Sequence, residues 1–484
     1  MRHLWTRLSF CFTVICFAVL ATNLDGRAAL GGELRVGGAM TSITPDEPVA
    51  LSGQMHTRIA HTVETPCTAT ALALETVEGD EVVGQTIMVS CDLVYITDDV
   101  LQAVRNRLKE RLSDFDAEKL FLTATHTHTA PVFVEGLYQL PENGVMQPAE
   151  YTEFLVGQLT DVIAEAWEQR AAGRVGWGLG HAVVAQNRRA QYADGTAVMY
   201  GPTDRANFRG IEGYEDHDVN VLFFWNDKQE LIATAINVSC PAQEVEGRSA
   251  VNADFWHPVR EMLREKHGED LLVLGMPGAS GDQSPHLMYN EKAEERMREL
   301  RGLTRLEELA RRIVRGWEVA YAGAKQDIRD DLPLVHHVAQ IELPIRQVTE
   351  NEYVDAQKQV ELLSKDPTKQ RRTLWQQKVV DRYKSQAPED VYEMELHAVR
   401  LGDVAIATND FELFTDYGIQ MKARSAAVQT FIVQLCGGGT YLPTERAKHG
   451  GGYSAIVQSS EVGPEGGQVL VDETVAAIDA LWSE

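Results

Sequence analysis

Cysteine is scarce in this sequence, with six residues in 484. Cys11 and Cys16 fall in an N-terminal apolar run, which leaves Cys67, Cys91, Cys240 and Cys436 for the rest of the chain. So few cysteines cannot form a disulfide framework, so the fold must rest on a buried core. Three pairings or none remain open. Positive charge is also short: 45 Lys and Arg stand against 71 Asp and Glu, a formal net charge of -26. A surface of that sign repels phosphate backbones and anionic headgroups, which argues against nucleic-acid binding. No internal repeat, low-complexity tract or Pro/Ser-rich linker divides the chain, so most of it reads as a single large domain. Gly-x-Ser-x-Gly, the nucleophile-elbow pattern, is absent. His449-Gly450-Gly451-Gly452 comes too late to act as an esterase oxyanion loop.

The N-terminus reads as a targeting segment. Arg2 and Arg7 flank the start of the apolar run 8–21, and small residues follow at Ala28 and Ala29. A basic start, a run of this length and small residues after it describe a secretory signal over residues 1–29. The run is shorter than the ~20 residues a membrane-spanning helix needs, and no other stretch qualifies. The expected mature chain, 30–484, is therefore secreted or periplasmic and has no transmembrane segment. Its oligomeric state is left open.

An apolar strand, an amphipathic helix and a second apolar strand recur three times. The first unit joins 86–93 to 119–124 through a helix marked by Val100, Leu101, Val104, Leu108 and Leu112. The second joins 231–239 to 271–274 through a helix opening at His257-Pro258, and the third joins 404–407 to 431–435 through a helix after Glu412. Such alternation predicts an α/β fold: a layered mixed sheet with flanking helices and a site at the carboxyl ends of its strands. A helical excursion is expected over about 290–385. Thr304 with Glu307 makes a capping box there, and the polar stretch 350–385 reads as a surface excursion rather than a site.

Polar clusters follow the predicted strands. Thr125-His126-Thr127-His128-Thr129 comes after 119–124; in extended chain, residues two apart face one side, so both imidazoles can enter one cavity. Imidazole is the commonest neutral metal ligand and titrates near neutral pH. Gly278-Ala279-Ser280-Gly281-Asp282-Gln283-Ser284-Pro285-His286 follows 271–274, bringing small residues together with Asp282, Ser284 and His286. Glu412 follows 404–407, and Gly437-Gly438-Gly439-Thr440-Tyr441 follows 431–435.

These residues carry a resemblance. The chain resembles the catalytic domain of the neutral/alkaline, non-lysosomal ceramidases from Val36-Gly37 and Ile43-Thr44-Pro45 to Tyr453. Thr-His-Thr-His is the most specific stretch and Gly281-Asp282-Gln283-Ser284-Pro285 the next. Asn187-Arg188, Glu412-Leu413-Phe414-Thr415 and Tyr441-Leu442-Pro443-Thr444 also match. The resemblance implies zinc held by His126, Glu412 and Tyr441, and His128 contacting the scissile amide. It further implies Ser284 as the serine required for activity, and Arg188 and Tyr453 binding or polarising substrate. The implied reaction is hydrolysis of the amide of ceramide, or of a related N-acyl lipid, to amine and fatty acid.

Two departures stand out. The family's second zinc-binding histidine follows an Asn-x-x-Cys-His pattern, whereas this chain reads Asn237-Val238-Ser239-Cys240-Pro241-Ala242-Gln243. Gln243 lies nearest, and His257 beside Asp254 is the candidate substitute ligand. Also, the sequence stops soon after Tyr453 with a last helix near 471–482, without the additional C-terminal β domain of that family. Two other readings stay open: a metal-independent hydrolase using Ser284 with a histidine partner, and a ceramidase-like scaffold that only binds ligand.

Overall fold

A computed structural model describes residues 31–483; the secretory segment read at 1–29 lies outside them. The larger sheet is built from β1 (Gly32–Ser42), β2 (Thr68–Glu78), β3 (Glu81–Cys91), β4 (Leu120–Ala124), β5 (Ala171–His181), β6 (Asp218–Asn226), β7 (Leu231–Val238) and β8 (Leu272–Pro277). Their spatial order is β8-β7-β6-β5-β1-β2-β3-β4, with Asp331–Leu332 added to β1. A second sheet holds β9 (Leu334–Pro344), β10 (Val391–Leu401), β11 (Val404–Thr408) and β12 (Gln429–Val433), in that order.

Most neighbours are antiparallel. The parallel pairs β3–β4, β7–β8 and β11–β12 are the three strand–helix–strand units, because a parallel return requires a crossover. The crossovers are α1 (Asp98–Arg111), which lies beside α2 (Pro148–Glu168), then α3 (Trp256–His267) and a later helix near the C-terminus. After the exposed α4 (Glu291–Leu300), α5 (Arg305–Ala324) opens with Thr304 and Glu307 as a capping box. Helices α6 (Glu350–Leu363) and α7 (Gln370–Ser385) form a hairpin, and α8 (Thr415–Arg424), α9 (Glu445–Gly450) and α10 (Pro464–Ala480) complete the set; α8 is the third crossover.

Packing makes four layers, α–β–β–α. Val104, Leu108, Leu155 and Ile163 from α1 and α2 bury against Ala71, Ile87 and Leu122. Val259, Leu263, Ile313 and Trp317 from α3 and α5 cover Val221, Phe223 and Ile236 on the same side of the larger sheet. Its other face, with Leu72, Phe121, Leu222 and Leu274, packs on Val399, Leu401, Ile406 and Phe431 of the second sheet. Met421, Leu470, Val471 and Ile478 close the far side. Strands buried on both faces read as continuous apolar runs, which is why these units are visible in the sequence. Cys67, Cys91, Cys240 and Cys436 are all free and buried. No helix among the described residues is long and apolar enough to cross a membrane.

Two expectations for the excursion need correction. The segment 290–385 is not wholly helical, because β9 runs through it with Ile341 and Leu343 buried and Gln340 and Glu342 exposed. Nor does 350–385 stand apart from the polar clusters: Trp375 of α7 packs on Tyr453, with ring centroids 5.6 Å apart.

Candidate active site

The loops leaving β4, β7, β8, β11 and β12 meet at one edge of the sandwich. Asn237, near the end of β7, donates to the carbonyls of Met276 (3.1 Å) and Ile432 (2.9 Å), locking three strand ends together across both sheets. Gln434 accepts from the amides of Ser280 and Leu413 at 3.1 Å each and donates to Ser280 Oγ at 2.9 Å. Glu412–Leu413 pairs in parallel with Tyr441–Leu442, with Glu412 opposite Tyr441. Gln283–Ser284 pairs with Gln186–Asn187, which brings Arg188 alongside. The site is thus fixed by backbone pairing and buried amides rather than by loose loops.

His126 takes φ +69, a left-handed conformation rare outside glycine. Its Nδ1 lies 2.7 Å from the carbonyl oxygen of Val94. A carbonyl only accepts, so Nδ1 carries the proton and Nε2 presents a lone pair. Nδ1 of His128 lies 3.3 Å from Glu246 Oε2 but is buried without a well-aligned hydrogen bond. Burial lowers the His128 pKa to about 4, so the ring is neutral near pH 7. Against the cost of its own burial, the neighbouring His128 and His286 hold Glu246 well below the usual carboxylate range.

The consequence lies between the rings. His126 Nε2 and His128 Nε2 face each other across a 3.1 Å hydrogen bond, and Glu412 Oε2 stands 3.4 Å from His126 Nε2. Glu412 Oε2 also lies 3.7 Å from Arg188 Nη2. Ligands about 2.0–2.1 Å from a tetrahedral zinc stand roughly 3.3 Å apart, so both spacings at His126 Nε2 suit a shared ion. Among the described residues no group of three His, Cys, Asp or Glu side chains is placed to hold a metal ion as it stands. The donor set here is two imidazoles and one carboxylate, with the phenol of Tyr441 beside them, and in type it fits zinc.

Arg188 is buried with both terminal nitrogens committed and Nε unpartnered. Its Nη2 donates to Gly281 O (2.8 Å) and Tyr441 Oη (3.1 Å), and its Nη1 to Tyr200 Oη (3.2 Å). Tyr200 also shares a hydrogen bond with Ser284 Oγ at 3.0 Å and accepts one from Gln243 Nε2 at 2.6 Å. Tyr441 meets the ring of Tyr453 edge-on at 5.8 Å. Burial pushes the Tyr453 hydroxyl up to about 12. His126, His128, Arg188, Ser284, Glu412, Tyr441 and Tyr453 are therefore brought together.

His257 is not. Asp254 turns the chain at φ +54, Trp256 buries its ring against Gly275, and the next side chain, His257, faces a surface groove with Glu261, Arg264 and Glu265. Gln243 reaches Tyr200 rather than the histidine pair. Sequence reasoning also missed Tyr200, Glu246 and the carbonyl of Val94. Glu244 and Glu246, two apart after β7, were the one available signal.

Two solved structures match almost the whole chain. One is the neutral ceramidase from Pseudomonas aeruginosa, 16% identical over 94% of this chain and 76% of that one, with a TM-score of 0.66. The other is a ceramidase complexed with C2, 15% identical over 93% and 75%, with a TM-score of 0.65. The chain has the neutral ceramidase fold. No protein-family model matches it, and no curated protein does. In this neutral ceramidase fold, the edge where the polar loops converge is built by three parallel crossovers, all of them legible in the sequence.

Proposed function

We propose that this protein is an exported amidohydrolase that cleaves the amide of ceramide or a related N-acyl lipid with the help of a zinc ion. The observation that carries the reading is the convergence of His126 Nε2 and His128 Nε2, 3.1 Å apart, beside Glu412. His126, Glu412 and Tyr441 would hold the metal, and His128 Nε2 supplies the donor that Gln243 and His257 do not. Zinc, when bound, lowers the pKa of its water towards ~7 and polarises an amide carbonyl.

The chain's own groups do the rest. Arg188, fixed by Gly281, Tyr441 and Tyr200, keeps its positive charge in place for the oxyanion that develops on the carbonyl. Tyr453 keeps its proton well above neutral pH and so acts as a donor, not a base. Ser284 is fully buried, and its Oγ meets Tyr200 Oη and the backbone amide of His286 at 3.1 Å. The His286 ring turns instead towards Glu246 at 3.4 Å. Ser284 thus lacks the adjacent imidazole that a serine nucleophile requires, and positioning Tyr200 is the role its contacts support. The leader read at 1–29 supports export.

The test is elemental analysis of the purified protein combined with mass-spectrometric detection of free fatty acid from N-acylsphingosine. The expected result is about one zinc per chain, with hydrolysis lost on chelation and regained with zinc. Hydrolysis unchanged after metal removal would overturn the metal reading, and no cleavage of any N-acyl amine would overturn the amidase reading.

A second expectation concerns the wall behind His128. Gly53 has φ +96, and a Cβ there would stand 2.5 Å from His128 Cγ. Arg58 fixes the same region by donating to His128 O and Glu246 O, each at 2.6 Å, so the ring cannot simply withdraw with its backbone. Gly53→Ala should fold, as circular dichroism will show, yet lose about 10²-fold in kcat/KM, the scale of a 1 Å misplacement.

A further inference from the structure

Helix α7 bridges two rims of the candidate site. At its start Gln370 Nε2 donates to Gly136 O at 2.6 Å, on the loop that continues from the histidine stretch. Further along, Gln458 donates to Gln376 at 3.2 Å, on the segment that follows Tyr453. The helix is thereby held across the opening, with Arg371 and, one turn later, Trp375 on the side of the site.

Several buried arginines here leave Nε without a partner, but among the described residues only Arg371 leaves a buried terminal nitrogen so. Its guanidinium carbon lies 5.1 Å from the ring centroid of Tyr138, and its Nη1 is buried with no hydrogen-bond partner. Among the described residues no carboxylate pairs with it, in a chain with 71 acidic residues to 45 basic ones. Its positive charge also bears on the hydroxyls of Tyr95, Tyr138 and Tyr453, lowering each against the effect of burial. The guanidinium therefore sits among phenols at the mouth of the site. One aromatic ring, Tyr453, separates this rim from Tyr441, as the centroid distances of 5.6 Å to Trp375 and 5.8 Å to Tyr441 describe.

Leaving a buried guanidinium nitrogen without an acceptor is costly, and a planar two-oxygen anion is its best complement. Arg188 and Arg58 cannot take that role in the two-pronged way, because the protein's own carbonyls and hydroxyls occupy their terminal nitrogens and leave only a buried Nε on each. We infer that Arg371 recognises a carboxylate on the substrate a few bonds from the scissile amide, so that the preferred substrates are N-acyl amino acids and related anionic amides rather than neutral ones. This rests on the amidohydrolase reading for the amide, but not for the anion.

The test compares N-lauroylglycine with N-lauroylethanolamine, equal in chain and different in charge. Binding is followed by calorimetry and turnover by fatty-acid release, for wild type, Arg371→Gln and Arg371→Lys. Wild type should bind the glycine conjugate at least about 10-fold tighter, the scale of one charged hydrogen bond. Arg371→Gln should abolish that preference, and Arg371→Lys should restore part of it. A monoamide of a dicarboxylic acid, with its charge on the acyl side, identifies which half of the substrate faces Arg371; preference for either anionic amide supports the inference. Equal binding of anionic and neutral amides by wild type, or a preference that survives Arg371→Gln, would overturn it. If the charge preference appears but neither amide is cleaved, the anion site stands and the amidohydrolase reading fails.

Discussion

Replacing His126 by alanine is expected to empty the metal site and to lower kcat/KM by more than about 10²-fold, whereas His257→Ala changes neither. Outer partners of a metal ligand, such as the carbonyl of Val94 that fixes the His126 tautomer, are themselves worth 10–100-fold in affinity or activity. Loss of the ligand must exceed that. The more discriminating variant is His128→Ala. With Nε2 of His128 3.1 Å from Nε2 of His126, its removal should cost zinc as well as turnover. If His128→Ala keeps one tightly held zinc and loses only activity, then His128 touches substrate alone, as the family resemblance implied, and the site has two imidazole-free corners. Elemental analysis of the two variants beside wild type separates these outcomes without relying on any substrate. Gln243→Ala serves as control: its Nε2 is anchored on Tyr200, away from the histidine pair, so zinc content should not change.

The three crossover units were legible because each couples a doubly buried strand to a helix with one apolar stripe, and both signals are local. The strand β9 was not. His336, His337, Gln340 and Glu342 dilute its apolar residues, and only its pairing with β10 over eleven residues makes it a strand. For the histidine pair, strand alternation predicted a shared side, and the two Nε2 atoms do converge. They converge by another route, through the left-handed turn at His126, which no periodicity announces. The groups that face their Nδ1 atoms arrive from far away in sequence: Val94 before them on the loop after β3, and Glu246 after β7. Arg371 and Trp375 lie on a segment whose polar composition read as surface, because a helix that covers a site has one face in solvent. His257 carried the right residue type, but its helix turns it away. Residue type and strand position were visible in the sequence; the aim of each side chain depended on contacts between distant segments.

One buried ion pair holds the histidine loop to the rest of the fold, and breaking it should have the largest effect on stability. Asp92, at the end of β3, is fully buried and accepts from Arg260 of α3 twice, Nη1 to Oδ2 at 2.7 Å and Nη2 to Oδ1 at 3.0 Å. Oδ2 also accepts from Thr68 N at 2.9 Å and Oδ1 from Thr125 Oγ1 at 3.2 Å, so one carboxylate joins β2, β3, α3 and the residue before His126. Asp92→Ala leaves a buried guanidinium without its counter-charge, a change worth about 3–5 kcal/mol. Chemical denaturation should read a loss of that size, and the variant should hold zinc more weakly because Thr125 loses its anchor. Replacing both partners by apolar residues, Asp92→Leu with Arg260→Met, should cost less than either single change, since what destabilises is the lone charge and not the missing pair. A loss under about 1 kcal/mol in Asp92→Ala, or a double variant worse than the sum of the singles, would mean that the loop is held by its other contacts, among them Arg58 on the His128 carbonyl and Thr127 and Thr129 on that of Asn252. In that case zinc affinity should be indifferent to Asp92, and the two measurements must agree.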